Sequence, residues 1–236
     1  MKTILILTLI IPTVLIAQPN HSTWNNLLKE HVSPYGNVDY KGFKNDEKIL
    51  DAYLDQLKSE YPTKTWTRND KMAYWINCYN AFTVKAILNH YPIKSITEIK
   101  PDNAKSIWKL KWITIEGNLL SLDQIENEIL RPNFNDARIH FAINCASVSC
   151  PPLRNEAFVA GKLNDQLNQQ TRMFFADTKR NKITSNNAQL SQIFDWFSTD
   201  FKTNGSLVSF VNKYSKIKIN PNTKITYLDY DWSLNN

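Results

Sequence analysis

The chain has 236 residues, of which 42% are hydrophobic and 21% are charged, and its formal net charge is +6. This length supports one domain with a sizeable core better than two domains. The basic residues are spread along the chain and do not cluster into a phosphate-binding footprint, so nucleic-acid binding is not expected.

The N-terminal segment has the pattern of a secretory signal peptide. Lys2 precedes an apolar run at residues 4–17, which ends in the small residue Ala17 and is followed by polar residues. We expect cleavage after Ala17, which leaves residues 18–236 as a single globular domain in the periplasm or outside the cell. The alternatives are an uncleaved anchor and a buried helix. The run is shorter than the roughly 20 residues that cross a bilayer as a helix. No later segment is long and apolar enough, so no transmembrane span is expected after signal removal.

Apolar residues at helical spacing predict three helices before residue 92. The first covers residues 22–32 with Ser22 as its N-cap, and the second lies around residues 49–57. The third has Asn69 or Asp70 as its candidate N-cap. Apolar side chains cover much of its circumference, so we expect it to be the central helix of the fold. The side chains that we predict it to bury are Trp75, Ile76, Tyr79 and Phe82.

The middle of the chain mixes strands and helices. Residues 108–115 predict a strand, followed by a turn at residues 116–118 and a return strand. Ser121 and Gln124 form a capping box that opens a short helix. Residues 138–144 predict a mostly buried strand. The remaining predicted elements are a helix at 161–177, a short strand at 182–184, a helix around 207–211 and a closing strand at 224–230. This order lacks regular βαβ units, so the expected class is α+β, with the central helix packed on a small, mainly antiparallel sheet.

The three cysteines Cys78, Cys145 and Cys150 leave at least one unpaired thiol in a monomer. Export to an oxidising compartment would permit a Cys145–Cys150 disulfide, and packed free thiols are the alternative. Cys78 lies in the apolar third helix and is interpreted as a core residue. Neither the cysteine spacing nor the four scattered histidines matches a zinc site, and no phosphate-binding glycine loop is present. We therefore expect no metal and no cofactor.

The strongest candidate for chemistry is the segment from His140 to Cys150. The predicted strand carries His140 into a loop of small residues that contains Cys145. A thiol reacts as the thiolate, and a neighbouring imidazolium lowers its pKa. Either cysteine could be a nucleophile with His140 as its base, and a structural role for all three residues is the alternative. The acidic residues that could orient His140, as the third member of a triad does, are Glu126, Asp229 and Asp231, each of which could also be an ordinary surface or cap residue.

Amide side chains inside the third helix require specific partners, because Asn is a poor helix former. Asn77 and Asn80 flank Tyr79, and Asn144 begins the cysteine loop. These four residues would either orient a substrate or hydrogen-bond the loop backbone. We prefer the second interpretation, in which these side chains hold the loop in place through hydrogen bonds to its backbone.

Two segments resemble the hallmarks of one protein family. They are residues 73–81 (AYWINCYNA) and residues 138–153 (RIHFAINCASVSCPPL), and weaker matches include Asp200-Phe201. On these residues the chain resembles exported bacterial members of the "domain of unknown function 547" family, whose name implies no chemistry. The helix after Ser121 often reads Ile-Glu-His in that family, whereas Asn127 stands in the histidine position here. A mechanism that needs this imidazole is therefore not expected in this chain.

The order of a buried helix and a His-bearing strand also resembles papain-like and transglutaminase-like cores at the level of the fold. In those cores the nucleophilic cysteine begins the buried helix, whereas Asp70, Lys71 and Met72 stand there in this chain.

Two functions remain open from the sequence. The first is a thiol-dependent hydrolase or transferase that acts on amide or peptide-like bonds. The alternative is a non-catalytic binding or scaffolding domain with an enzyme-like core and a protein or peptide partner. An enzyme predicts an accessible sulfur of Cys145 or Cys150 within hydrogen-bond reach of a histidine. A binding domain predicts buried or bonded sulfurs and an exposed aromatic patch.

Overall fold

The computed structural model describes residues 20–236, so the predicted signal peptide lies outside the described residues. The helices are α1 (Ser22–His31), α2 (Tyr40–Asn45), α3 (Glu47–Ser59), α4 (Arg68–Leu88), α5 (Leu122–Gln124), α6 (Arg131–Phe134), α7 (Leu163–Ala176), α8 (Ile193–Trp196), α9 (Ser198–Lys202) and α10 (Leu207–Tyr214). The strands are β1 (Ile113–Ile115), β2 (Asn118–Leu120), β3 (Lys182–Ile183), β4 (Asn187–Leu190) and β5 (Lys224–Tyr227). Within residues 20–236, no helix has the length and apolar character needed to cross a membrane.

The strands form two small sheets. β1 and β2 make an antiparallel hairpin. Its two-residue turn holds Glu116 at φ 52° and Gly117 at φ 73°, the positive angles that a type I′ turn requires. In the second sheet β3 pairs antiparallel with β4, and β4 pairs parallel with β5. The predicted α+β class with small, mainly antiparallel sheets is confirmed.

Helix α4 is the central helix, as predicted. It packs against α2, α3 and the helical segment that follows α5. Thr67 is its N-cap and forms a reciprocal capping box with Asp70, so the predicted start was two to three residues too late. Tyr79 is buried, and so are Ile76 and Phe82. The prediction was wrong for Trp75, which is only partly buried at the edge of the core and packs edge-to-face on Tyr74.

The segment from α5 to α6 is one helical run that changes its pitch. The predicted capping box between Ser121 and Gln124 is present and opens α5. A π-helix then covers Ile125–Leu130 and continues into α6. Single π-helical turns widen a helix locally and are frequent at functional sites. This one carries Glu126 and Asn127.

The predicted strand at residues 138–144 is wrong, because Ala137–Phe141 forms a 3₁₀-helix. The Asp136 side chain caps it by accepting a hydrogen bond from the Arg138 N–H. The apolar run lies between two hydrophobic clusters: Phe141 is buried in one, and Ile139, Ala142 and Ile143 are buried in the other. Burial on both sides produces a continuous apolar run without a strand. The papain-like layout is not supported, since His140 lies on this 3₁₀-helix.

Several other elements are shorter than predicted. The strand expected at residues 108–115 is confined to β1, and Ile107–Lys109 forms a 3₁₀-helix instead. The first helix is preceded by His21, so Ser22 is its first residue and not its N-cap. The closing strand ends at Tyr227. The residues that follow β5 cross back over the cysteine loop, where the Val148 N–H donates to the Ser233 carbonyl at 2.8 Å.

Candidate functional site

A cavity of about 140 Å³ lies where α4, the π-helical turn, the His140 3₁₀-helix, the cysteine loop and the C-terminal segment meet. Its walls are mainly apolar. Five of the candidate site residues predicted from the sequence line it: Tyr79, Glu126, His140, Cys145 and Cys150. The lining residues are Tyr79, Trp108, Glu126, His140, Ile143, Cys145, Cys150, Pro151, Ile193, Trp196, Phe197, Tyr230 and Trp232.

The cysteine loop is held at its base by two asparagines. Asn144 donates from Nδ2 to the Pro151 carbonyl at 2.8 Å and accepts from the Ala146 N–H at 2.9 Å, so it ties both ends of the loop together. Asn80 donates to the Ala142 carbonyl at 2.9 Å and accepts from the Asn144 N–H at 2.8 Å. Ala146 is buried at φ 61°, a left-handed conformation that is unfavourable for residues other than glycine. The surrounding hydrogen bonds therefore impose the path of this loop.

The sulfurs of Cys145 and Cys150 lie 2.8 Å apart and share a hydrogen bond. Both cysteines are free, and this separation exceeds the roughly 2.05 Å of a disulfide bond, so the disulfide considered from the sequence is not formed. Cys150 is buried, whereas Cys145 is half-buried. The Cys150 sulfur also accepts a hydrogen bond from the Cys145 N–H at 2.9 Å.

Hydrogen bonds make Cys145 the more acidic thiol of the pair. Its pKa is lowered to about 7, mainly by the hydrogen bond with Cys150 and further by Tyr230 and Ser147, against the opposing effect of burial. The Tyr230 hydroxyl lies 3.3 Å from the Cys145 sulfur. Burial raises the pKa of Cys150 well above its ordinary value. At neutral pH the site therefore contains a partly ionised thiol beside a protonated one.

Glu126 is a mostly buried glutamate on the π-helical turn, with 13% of its side chain exposed. Burial raises its pKa to about 7, and the nearby charge of Cys145 adds to this effect. The Tyr79 hydroxyl donates to Glu126 Oε2 at 3.3 Å. A carboxyl group that is half protonated at neutral pH can act as a general acid or as a general base.

His140 belongs to a chain of polar contacts that runs away from the sulfurs. Its Nε2 hydrogen-bonds Asp200 Oδ2 at 2.8 Å, and its Nδ1 lies 3.9 Å from Glu126 Oε1. Arg131 holds the same Asp200 carboxylate from the other side through two hydrogen bonds of 2.7 and 3.0 Å. The His140 ring stacks on Phe197 at 4.1 Å between centroids. Because Asp200 accepts a hydrogen bond from the protonated Nε2, the lone pair of neutral His140 is on Nδ1 and faces Glu126.

The charge states of His140 and Asp200 depend on their burial and on their hydrogen bonds. Desolvation lowers the pKa of His140, although Asp200 opposes this effect, so the imidazole is neutral near pH 7. Burial acts to raise the pKa of Asp200, but the hydrogen bonds from His140 and Arg131 outweigh it and hold that pKa well below its usual range. The imidazole therefore contacts Asp200 and Glu126, and within residues 20–236 it makes no hydrogen bond to a sulfur.

Other residues predicted from the sequence lie elsewhere or have different partners. Asn77 is buried, but it hydrogen-bonds both the N–H and the carbonyl of Phe158 and not the cysteine loop. Cys78 is buried in the core, and desolvation raises its pKa. The carboxylate that orients His140 is Asp200, and Asp229 and Asp231 have the other role considered for them, that of surface or cap residues. Asp229 is exposed, and the Asp231 carboxylate accepts from the Ser233 N–H.

Sequence reasoning missed the members of the site that come from distant parts of the chain. Asp200 and Arg131 complete the series of polar contacts, and Tyr230 contacts the Cys145 sulfur. A signal for Asp200 existed, since Asp200-Phe201 was among the segments that resemble the family. No local sequence pattern predicts that Trp108, Trp196 and Trp232 line the same cavity.

One group within the described residues could hold a metal ion on distance alone. Ligand atoms of Glu30, His31 and Asp46 lie within 4.8 Å of one another. His31 already hydrogen-bonds Asp46 at 2.9 Å, and this hydrogen bond satisfies the polar group of its buried imidazole. The group is distinct from the residues that line the cavity.

Comparison with known proteins identifies the family of the chain. The family described as "Protein of unknown function, DUF547" matches residues 63–175. The chain belongs to this family, and the matched segment contains α4, Glu126, His140 and both cysteines of the loop. No curated protein and no solved structure matches the chain significantly.

Proposed function

We propose that the protein is a thiol-dependent hydrolase or transferase that acts on amide or peptide-like bonds, with Cys145 as its nucleophile. The observation that carries this proposal is the position of Cys145, a half-buried residue that lines the cavity, with the Cys150 and Tyr230 groups hydrogen-bonded to its sulfur. These donors stabilise the thiolate, which is the reactive form of cysteine.

Glu126 supplies the proton that this chemistry needs. The Cys145 thiolate attacks the carbonyl carbon of the substrate and forms a carbon–sulfur bond. The carbon–nitrogen bond then breaks, and the leaving nitrogen takes the proton of Glu126. In the second half, the Glu126 carboxylate accepts a proton from water or from an acceptor alcohol or amine, whose oxygen or nitrogen attacks the thioester and releases the thiolate. A pKa of about 7 suits Glu126 to both steps.

His140 acts in this scheme as a positioning residue. Its ring is fixed between Asp200 and Phe197, and its unprotonated Nδ1 faces Glu126 at 3.9 Å. This differs from a cysteine–histidine pair, in which the imidazole takes the proton of the thiol directly. Asn127 provides no imidazole, so Glu126 is the proton-transfer group of this scheme.

The proposal is tested by trapping the acyl-enzyme. The protein is incubated with p-nitrophenyl esters, and hydroxylamine-sensitive adducts are located by peptide mass spectrometry. We expect a thioester on Cys145, loss of the burst of nitrophenol in Cys145→Ala, and slower turnover in Glu126→Gln. Cys78, which is buried in α4, is the internal control. An ester hydrolysis rate that is unchanged in Cys145→Ala would exclude this function.

A second candidate function is thiol–disulfide exchange, favoured by the separation of 2.8 Å between the two sulfurs. The Cys145 thiolate would attack a disulfide of a partner protein and release one partner thiolate. Cys150, once deprotonated, would attack the mixed disulfide, which releases the second partner thiolate and oxidises the pair to a disulfide. In Cys150→Ala the mixed disulfide should accumulate, and thiol counting in glutathione redox buffers would measure the potential of the pair.

The non-catalytic alternative is a binding domain for a protein or peptide partner. Trp196 is 48% exposed and lies 4.8 Å from the Tyr230 ring and 6.0 Å from Trp232 between centroids. Exposed aromatic clusters are typical of binding surfaces. The thiol of Cys145, whose pKa is lowered to about 7 and which lines the same cavity, favours catalysis over binding alone, and the trapping experiment separates the two.

We also propose that the protein is exported and acts in the periplasm or outside the cell. The support is the pattern of Lys2, the apolar run at residues 4–17 and the small residue Ala17.

A further inference from the structure

The cavity beside Cys145 has an aromatic wall, of which the acyl-transfer scheme uses only the Tyr230 hydroxyl. Tyr230 and Trp232 pack at 4.6 Å between ring centroids, and Trp108 packs edge-to-face on Trp232 at 5.7 Å. Trp196 extends this wall to the surface, where it is 48% exposed. Several large rings at one small cavity form a surface that favours a flat apolar group.

The volume of the cavity limits what can enter it. It measures about 140 Å³, and an apolar cavity of about 150 Å³ holds one benzene molecule. A single ring or a side chain of similar size therefore fills it, while a folded peptide segment does not. The polar groups Glu126 and Cys145 line the same cavity, so a group held there lies next to the proposed nucleophile.

The charges at the cavity disfavour an ionic group. None of the cavity's described lining residues is a lysine or an arginine, so an anionic group would enter without a counter-ion. Arg131 is engaged by Asp200. The two lining groups that can carry negative charge, Glu126 and Cys145, are each only partly ionised at neutral pH, so a cation also lacks a permanent anionic partner. A buried charge without a partner is strongly unfavourable.

We infer that the substrate of Cys145 carries, next to its reactive carbonyl, one neutral apolar group of about the size of a phenyl ring, which the aromatic wall binds. This inference rests on the proposed function and names its substrate class. Acyl groups such as phenylacetyl, or the acyl half of an amide formed from an aromatic or large aliphatic amino acid, meet this description.

The test compares p-nitrophenyl esters that share a leaving group but differ in the acyl group: acetyl, phenylacetyl, succinyl and trimethylammonioacetyl. The acylation rate of Cys145 is measured for each and divided by the rate of a free small-molecule thiol with the same ester. We expect the normalised rate for phenylacetyl to exceed that for acetyl by roughly tenfold or more. Succinyl should react more slowly than acetyl.

Two variants assign the selectivity to the aromatic wall. Trp196→Ala should reduce the ratio of the phenylacetyl rate to the acetyl rate several-fold. Leu119→Ala, which truncates an exposed apolar residue on β2, is the control and should preserve the ratio. Phenylacetyl and acetyl rates within twofold, with Cys145 still acylated, would overturn the substrate class and leave the proposed function standing. A preference for the trimethylammonio ester would also overturn it. Absence of acylation by every ester would overturn the proposed function itself.

Discussion

The Cys145 sulfur lies 2.8 Å from the Cys150 sulfur, and this hydrogen bond is the main reason for the low pKa of Cys145. The two thiols act as a pair in which the buried Cys150 stabilises the charge of its half-buried neighbour. A thiolate stabilised by a donor loses that stabilisation when the donor is removed.

The first prediction therefore concerns Cys150→Ala. Without this donor, the pKa of Cys145 should rise from about 7 towards the ordinary thiol value. If it reached about 8.5, the thiolate fraction at pH 7 would fall on the order of tenfold. The rate of iodoacetamide alkylation of Cys145, followed by mass spectrometry between pH 5 and pH 10, measures this change. Cys78→Ala, which removes the distant core thiol, is the control. An unchanged inflection in Cys150→Ala would contradict the assignment.

The second prediction uses the raised pKa of Glu126. The folded value of about 7 exceeds the ordinary value of 4.5, so the folded protein binds this proton more tightly than the unfolded chain does. Stability from this group is therefore fully present below about pH 4.5 and is lost as the pH rises to about 7. The full effect is on the order of 3 kcal/mol. Glu126→Gln should remove this loss, so the variant should gain stability relative to the wild type between pH 5 and pH 8.

Urea unfolding at pH 5 and pH 8 measures the effect for Glu126→Gln. Glu128→Gln, at an exposed glutamate of the same π-helical turn, is the matched control. The same stability difference from the wild type at both pH values would show that the Glu126 carboxyl is not held in the protonated form.

The third prediction concerns Asp200, which accepts hydrogen bonds from both His140 and Arg131. Asp200→Ala should destabilise the fold by about 2–3 kcal/mol, because it leaves a buried imidazole and a half-buried guanidinium without their acceptor. The folded pKa of Asp200 is depressed, so this stabilisation is present above the ordinary pKa of an aspartate and is lost at lower pH. Denaturant melts at pH 7 and pH 3 should therefore show a smaller effect of the substitution at pH 3. Asp229→Ala, at an exposed aspartate, is the control and should change stability by less than about 0.5 kcal/mol.

The fourth prediction concerns export. Protein purified from its native host should begin near Gln18, because the segment up to Ala17 has the pattern of a signal peptide. Intact-mass measurement decides this directly. A mass that includes Met1 to Ala17 would contradict cleavage, and recovery of that protein from the cell interior would contradict export as well.

The central helix could be predicted from sequence because its signals are local. The apolar circumference of α4 predicted its burial, and the buried amides predicted specific partners, which Asn80 and Asn77 have. The His140 segment could not be predicted in this way. An apolar run that is buried on both sides looks the same as a strand or as a 3₁₀-helix between two cores, and only tertiary packing distinguishes them.

The candidate site was predictable only in its sequence-local part. Cys145 and Cys150 lie close to His140 in the chain, and Glu126 follows a recognisable capping box. Asp200 and Tyr230 reach the site from far along the chain, and their contacts follow from the packing of the C-terminal half. His140 contacts Asp200 and not the candidates Asp229 and Asp231. Arg131 holds the Asp200 carboxylate in place through two hydrogen bonds. No local pattern reports that pairing.

The last prediction concerns the hydrogen bonds that hold the cysteine loop. Asn80 donates to the Ala142 carbonyl and accepts from the Asn144 N–H, and all of these groups are buried. Asn80→Ala would leave two backbone polar groups without partners, at a cost of about 1–3 kcal/mol each. We therefore expect a loss of stability of about 2–4 kcal/mol in urea melts. Asn89→Ala, at an exposed asparagine just beyond the end of α4, is the matched control.

Asn80→Asp separates the two hydrogen bonds. A carboxylate still accepts from the Asn144 N–H but donates nothing to Ala142, and its charge would be buried. This variant should be at least as destabilised as Asn80→Ala at pH 7 and should recover part of its stability at pH 4, where protonation restores a donor. The inflection of Cys145 alkylation with pH should also move to higher pH in Asn80→Ala, because the loop that aligns Cys150 with Cys145 loses its anchor. Wild-type stability and wild-type Cys145 reactivity in Asn80→Ala would together show that the loop is held without this residue.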